Sequence, residues 1–269
     1  MPPSPPRSHT TPDTAAVREA PTQRRRRTRL RLTVVQYGLL CVLLLSTLWV
    51  LPRIVAAGMA NLVFLPAHFS LEHWQAKPDA FNDSDFNRAL FAAQHAQQWQ
   101  PQHPHYQVML AKVYLWGWFT GTLPSKALPD LAPLYKNAIA SRPLWPEAYA
   151  DYALYLAVVR GDWPAAKPQL ANALLYGRYL PNVQRAGLTV LLSQWSQLDI
   201  EHKIMAFTLA EQSLQSHPQS FAAARDLIRQ YQLTPAFCVY FGKKQATFNR
   251  SSWQRIEREI CRDGRPNSR

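Results

Sequence analysis

The stretch ALFAAQHAQQWQPQHPHYQVMLAKVY, residues 89–114, has the pattern of two helices joined by a proline-containing turn. Alanines recur at helical spacing before the turn, and apolar residues recur every three or four positions after it. Pro101 and Pro104 interrupt the pattern, because proline cannot continue a helix but suits its first turn. The same pattern extends from about residue 81 to residue 233, with few alternating β-branched runs. The sequence therefore predicts an all-α domain over 81–233.

Prolines also mark a period along this domain. Pro104, Pro146, Pro181 and Pro218 each follow one helical segment and open another, at separations of 42, 35 and 37 residues. Spacings of this size are typical of stacked helix pairs. Small residues recur within the segments, and paired helices approach closely only where a side chain is small. A helical bundle without repeats is the alternative.

The domain resembles the tetratricopeptide repeat family. The positions that match the family pattern are Ala89, Ala96, Pro101, Leu110, Ala111, Tyr114, Tyr135, Ala138, Pro143, Tyr149, Ala153, Leu156, Ala166, Leu170 and Ala173. The chain departs from the pattern at an insertion placed within Gly117–Asp130, and in a last unit where Phe207 and Ala210 fit but the proline is displaced to Pro218. The resemblance implies a short solenoid with a concave binding surface.

An uncharged run lies near the N-terminus. No charged side chain occurs from Leu32 to Leu51, and twenty helical residues span about 30 Å, the thickness of a bilayer core. The sequence therefore predicts a transmembrane helix at residues 32–53. Small residues within Ile54–Ala60 would also suit cleavage of a signal peptide, although this run is longer than the apolar part of most signal peptides.

More arginines precede this uncharged run than follow it. Six precede it, namely Arg24, Arg25, Arg26, Arg27, Arg29 and Arg31. Only Arg53 follows closely, so the positive-inside rule predicts a cytoplasmic N-terminus and an outer C-terminal domain. A basic arm could also bind the phosphates of a nucleic acid. Next to a membrane span the topological role is the better explanation, so we expect no nucleic-acid partner.

The segments on either side of the span are predicted from composition. Residues 1–31 are rich in Pro, Ser, Thr and Arg and hold much of the net charge of +13, which predicts a disordered basic cytoplasmic tail. Residues 54–80 predict a juxtamembrane helix and linker, with apolar residues at helical spacings from Ile54 to Val63. We expect Pro66 to end that helix.

The C-terminal segment, residues 234–269, predicts a small basic appendage that contains two cysteines. Cys238 and Cys261 lie 23 positions apart, and outside the cytoplasm they would close the segment with a disulfide. Two unrelated buried thiols are the alternative. Cys41 lies within the apolar run, where it serves as an apolar side chain.

The sequence contains no recognisable catalytic motif. His103 and His105 form an HxH pair, but it lies in a turn and has no carboxylate or cysteine partner at metal-binding spacing. Glu201 and His202 are adjacent on a predicted helix and therefore point in different directions. Glycine-rich phosphate loops, GxSxG and HExxH are absent from the sequence. We therefore expect a protein that is not an enzyme and has no cofactor.

Aromatic residues are the candidate binding residues. The chain has nine tryptophans, and aromatic faces bind peptides and sugars, although tryptophan also fills the space between paired helices. The candidates for partner binding are Trp116, Trp118, Trp145, Tyr149 and Trp163. Trp116 and Trp118 are assigned to the inserted loop.

A narrower resemblance rests on SRPLWPEAYADYALYLAVVRGDW, residues 141–163, and ALLYGRYLPNVQRAGLTVLLSQW, residues 173–195. With the N-terminal span, these segments are similar to the VpsP family of polysaccharide biosynthesis proteins. These are bacterial inner-membrane proteins with one span and a degenerate repeat domain. The likeness is strongest at Arg142, Pro143, Trp145, Pro146 and Ala148.

The resemblance implies a single-pass inner-membrane protein whose C-terminal domain is periplasmic. Its function would be that of an adaptor in exopolysaccharide, or biofilm-matrix, biosynthesis or export. The implied partners are a polysaccharide polymerase, a co-polymerase or a glycosyltransferase. Two other functions stay open from the sequence: a periplasmic scaffold for another cell-envelope or secretion complex, and a module that binds glycans directly.

Overall fold

The computed structural model describes residues 20–262, with side chains from residue 33 onward, and every regular element in this range is helical. The all-α class is therefore confirmed. The α-helices are α1 (Ala20–Ala76), α2 (Asp83–Trp99), α3 (Pro104–Phe119), α4 (Ala132–Ser141), α5 (Pro146–Leu154), α6 (Trp163–Gly177), α7 (Pro181–Ser193), α8 (Ile200–Gln215), α9 (Pro218–Gln230), α10 (Thr234–Lys243) and α11 (Arg250–Ile256). One π-helical segment, Tyr155–Val159, follows α5, and another, Glu257–Arg262, follows α11.

The predicted N-terminal tail lies only partly within the described residues. Residues 1–19 are outside them, as are the side chains of the six arginines from Arg24 to Arg31. Residues 20–31 form the first part of α1 and are not a separate tail. Arginine is a good helix former, so the helix of the apolar run can extend back through this segment.

The chain divides into two compact units after Ala56. The first unit contains the apolar part of α1, which is long and apolar enough to span a membrane. Its large apolar side chains, including those of Leu44, Leu48 and Trp49, are exposed. A helix that presents apolar side chains all round is suited to lipid contact, which agrees with the predicted helix at 32–53.

The second unit begins with residues 57–76 of α1, which pack on α2 and α3. Phe64, Leu71 and Trp74 are buried in a cluster that they share with side chains of those two helices. The prediction that Pro66 ends this helix is wrong, because α1 continues to Ala76. Proline removes one helical hydrogen bond, and burial of these side chains stabilises the helix in spite of that loss.

Four of the helices begin at the prolines that mark the period. Pro104, Pro146, Pro181 and Pro218 are the first residues of α3, α5, α7 and α9, which confirms that each opens a helix. Successive helices from α2 to α9 contact each other in turn. In addition, α3 contacts α5, α5 contacts α7, and α7 contacts α9. We call these four helices the proline-led layer.

Small residues lie where neighbouring helices meet. The alanines with no exposed surface include Ala89, Ala96, Ala111, Ala138, Ala153, Ala166 and Ala173. Gly117 belongs to this group, because a Cβ built on it would lie 2.5 Å from the ring of Phe86. It lies inside α3, so Trp116 and Trp118 occupy the last turn of that helix and not the inserted loop, which begins after Phe119.

The C-terminal segment is packed into the same unit. Helices α10 and α11 contact α8, and Phe237, Phe241, Ile256 and Ile260 are buried in the core that includes residues of α5 to α9. Cys238 on α10 and Cys261 in the segment that follows α11 form a disulfide, with their Cα atoms 5.7 Å apart. The disulfide therefore joins two helical segments that also share an apolar core.

Candidate functional site

Charged side chains meet on the proline-led layer. Lys112 on α3 lies with its Nζ atom 3.0 Å from Oδ2 of Asp151 on α5, and the two side chains are only 19% and 15% exposed. Burial raises the pKa of Asp151, and the nearby Glu147 raises it further, while the positive charge of Lys112 opposes the shift. The pair therefore places a carboxylate and its cation in a largely dehydrated position between two helices.

Arg185 on α7 adds a second positive charge to this cluster. Its charge acts on Asp151 and opposes the rise in that pKa. The residue is exposed, and within residues 33–262 its guanidinium makes no hydrogen bond or ion pair with another side chain. Five N–H donors in a fixed planar arrangement are thus available to a bound group, and carboxylates match that arrangement well.

A cavity lies beside Arg185, between α7, α8 and α9. Its volume is about 150 Å³. Its polar lining residues are Asn182, Arg185, Ser213, His217, Gln219 and Ser220, and Leu188 and Leu227 supply apolar surface. A site of this size accepts one side chain or a chain terminus of a partner and not a whole cofactor.

Three of the predicted aromatic residues are packing residues. Tyr149 is 8% exposed and donates its hydroxyl hydrogen to the carbonyl oxygen of Pro143 over 3.0 Å. Trp163 is 9% exposed, and its ring meets the edge of His202 with the ring centroids 5.2 Å apart. Trp116 packs against Trp74 and Phe81 in the cluster formed with α1 and α2. Tyr149 and Trp163 are therefore buried, and Trp116 is partly buried.

Trp118 and Trp145 are half-buried and have other partners. The indole N–H of Trp118 donates to the Oγ atom of Ser125 over 3.1 Å, which holds the inserted loop against the end of α3. The guanidinium of Arg142 lies 4.7 Å from the ring centroid of Trp145, in a cation–π contact. The structure does not bring the five predicted aromatic residues together into one surface.

His103 and His105 lie close together, but no third metal-ligating side chain joins them among the described residues. The ring centroids of His103 and His105 are 6.4 Å apart, and no group of three metal-ligating side chains occurs in the part of the chain that the structure describes. Burial lowers the pKa of His105 to about 4, and the charges of His103, His68, Lys112 and Arg142 add to the shift. His105 is therefore neutral at pH 7, and its ring packs against Phe64 at 5.3 Å.

Glu201 and His202 do not act as a pair either. The Nδ1 atom of His202 lies 2.7 Å from Oδ1 of Asp199, and the same oxygen accepts a hydrogen bond from the backbone N–H of His202. Asp199 is the N-cap of α8, so this contact stabilises the start of the helix. These two contacts fix the orientation of the buried imidazole of His202. Glu201 takes no part in them.

Lys112, Asp151 and Arg185 do not stand out in the sequence as functional residues. The sequence does show that each of the three residues lies on a helix that begins with one of the regularly spaced prolines. Their proximity depends on how these helices are stacked, which the period does not specify.

Comparison with known proteins found no matching family model, no similar curated protein and no similar solved structure.

Proposed function

We propose that the protein is a membrane-anchored periplasmic adaptor in exopolysaccharide biosynthesis or export, and that the surface of the proline-led layer binds a partner protein. The observation that carries the proposal is the guanidinium of Arg185, which makes no hydrogen bond or ion pair within residues 33–262, beside a small cavity lined by both polar and apolar side chains. A peptide segment with a carboxylate would bind there through charge-assisted hydrogen bonds. The family resemblance supplies the polysaccharide context.

The contacts between helices support a tetratricopeptide-like solenoid. In such a solenoid the first helix of each pair packs on its own second helix and on the first helix of the next pair. The contacts of α5 with α6 and α7, and of α7 with α8 and α9, have this pattern. The proline-led layer would then line the concave side, where solenoid proteins bind peptides.

Two features support a periplasmic location for the second unit. The six arginines before the apolar run favour a cytoplasmic N-terminus by the positive-inside rule. The disulfide between Cys238 and Cys261 suits an oxidising compartment, because cytosolic thiols are kept reduced. Both features favour the periplasmic side of the membrane for the second unit.

Photocrosslinking in cells tests this proposal. A photoreactive residue replaces Asn182, which lines the cavity, in the full-length protein in its native membrane. Lys136, exposed on α4, is the control position. Crosslinks from position 182, and not from 136, to a polymerase, co-polymerase or glycosyltransferase would support the proposal. Crosslinks to other envelope proteins would favour the alternative scaffold and overturn the polysaccharide part.

A matched pair of variants extends the test to Arg185. We expect Arg185→Ala to reduce the yield of the crosslink at least several-fold, since one desolvated charge-assisted contact contributes about 1.5–3 kcal/mol. Arg178→Ala removes an exposed arginine just after α6 and should leave the yield unchanged. Equal yields from both variants would remove Arg185 from the binding surface.

A further inference from the structure

The part of α1 in the second unit carries two apolar stripes. Ala60, Phe64, Ala67, Leu71 and Trp74 form the buried stripe, and each is less than 9% exposed. Leu62, Leu65 and Phe69 form a second stripe with Gly58, and their side chains are 64%, 44% and 61% exposed. Successive residues turn by about 100° around a helix, so the centres of the two stripes lie on opposite sides of it. We call the second one the exposed stripe.

The exposed stripe has the spacing of a coiled coil. Gly58, Leu62, Leu65 and Phe69 are separated by four, three and four residues, which is the a/d pattern of a heptad. In the sequence the same spacing continues backward through Val55, Leu51, Leu48 and Leu44. A stripe of this kind is complementary to another helix that has the same period.

Lipid does not account for this stripe. By sequence, the uncharged run that fills a bilayer core ends at Leu51. Leu62 and Phe69 are 11 and 18 residues further along the chain, or about 16 and 27 Å of helix. A bilayer core about 30 Å thick is already spanned by the preceding residues, so it does not also cover the exposed stripe.

We propose that the exposed stripe is the interface with a second copy of this chain, in a parallel helix pair. Two copies anchored by the same segment enter the membrane in the same direction and at the same residue, so their stripes are aligned in register without further cost. Gly58 has no neighbouring atom within 4 Å of a Cβ position, so the two backbones can approach there.

An open groove beside the stripe would accept side chains of the second helix. It is lined by Leu65, Pro66, Phe69 and Trp74 of α1 and by Asp85 and Arg88 of α2. Asp85 and Arg88 form an ion pair at 2.7 Å on its α2 side. The apolar wall and the charged rim have the arrangement of a helix interface, with an apolar centre and a polar edge.

Cysteine crosslinking of the full chain in its membrane tests the proposal. Cys41→Ala removes the one described free thiol, and Leu62→Cys, Leu65→Cys and Phe69→Cys then place a thiol on the exposed stripe. His68→Cys and Gln75→Cys place it on the flank of the same helix. With a mild copper oxidant, we expect disulfide-linked dimers at the three stripe positions and at least several-fold less at the two flank positions. Equal crosslinking at all five, or none, would overturn the proposal.

Co-purification of two differently tagged copies distinguishes a second copy from another protein. Leu62→Glu should reduce co-purification about tenfold, as expected for the loss of about 1.4 kcal/mol of apolar contact. The matched control is Ile204→Glu, which places the same charge at a 56% exposed apolar residue on α8 and should have no effect. Crosslinked species that contain only one tagged copy would assign the stripe to a different membrane protein and overturn the proposal.

Discussion

Lys112 and Asp151 form an ion pair that joins α3 to α5, with 3.0 Å between the ammonium nitrogen and a carboxylate oxygen. Both side chains are largely buried, so removing them from water is unfavourable and their mutual attraction must offset that loss. Such pairs are weak evidence for stability. The charge of Arg185, also on the proline-led layer, acts on the same carboxylate.

Removal of the lysine alone should destabilise the protein. Lys112→Met leaves Asp151 buried without its cation, and we expect a loss of about 3–5 kcal/mol in the free energy of unfolding at pH 7. Burial already raises the pKa of Asp151, so folding favours its protonated form, and stability from this group falls as pH rises. The loss should therefore be larger at pH 7 than at pH 4.5.

Denaturant unfolding of the purified full-length variant at both pH values measures this loss. The double variant Lys112→Met with Asp151→Leu has no unpaired charge and should recover most of the stability. If the single variant is as stable as the wild type at pH 7, then water, and not Lys112, offsets the unfavourable burial of the charge on Asp151.

His105 should make the second unit sensitive to acid. Its pKa is about 4 in the folded protein, because burial and the charges of His103, His68, Lys112 and Arg142 disfavour the imidazolium. An unfolded histidine has a pKa of about 6.5, so between about pH 6.5 and pH 4 the unfolded state binds more protons than the folded state. Stability therefore decreases as pH falls through this range.

His105→Gln should remove that part of the acid sensitivity and flatten the pH profile of the denaturation midpoint between pH 7 and pH 4.5. The exposed His73 provides the control, and His73→Gln should leave the profile as steep as before. A steep profile in both variants would mean that other groups cause the acid sensitivity.

The local features of the fold could be predicted from the sequence. Proline suits the first turn of a helix, so Pro104, Pro146, Pro181 and Pro218 predicted four helix starts that the structure contains. The alanines at helical spacing predicted close helix contacts, and Ala111 and Ala153 are among those fully buried. These predictions depend on neighbouring residues in the chain, which is why they succeeded.

Features that depend on distant contacts were not predictable. Pro66 was predicted to end a helix, but Trp74 and Phe64 are buried against α2 and α3 and keep the helix intact past it. Trp116 was a candidate for binding, and its ring packs against Trp74 and Phe81. The meeting of Lys112 with Asp151 requires the stacking of α3 on α5, and no residue near either one specifies that contact.

The disulfide should contribute to stability through the loop that it closes. Cys238 and Cys261 are 23 residues apart, and a loop of this length corresponds to about 3 kcal/mol on the chain-entropy model. We expect the variant Cys238→Ser with Cys261→Ser to lose about that amount in denaturant unfolding. A reducing agent should shift the wild-type midpoint in the same direction and leave the double variant unaffected. A wild-type midpoint that does not respond to the reducing agent would contradict this.

Gly177 is a position where added volume should be poorly tolerated. It is the last residue of α6, and a Cβ there would lie 2.5 Å from the Cβ of Pro146, the first residue of α5. The rigid proline ring cannot rotate away, so Gly177→Ala must separate the two helices, and we expect a loss of about 1–3 kcal/mol in the free energy of unfolding. Gly242 is a matched control near the end of α10, because nothing lies within 4 Å of its Cβ position. Gly242→Ala should stabilise the helix by up to about 1 kcal/mol through alanine's higher helix propensity. If both variants gain stability in denaturant unfolding, α5 and α6 do not pack as closely as Pro146 and Gly177 require.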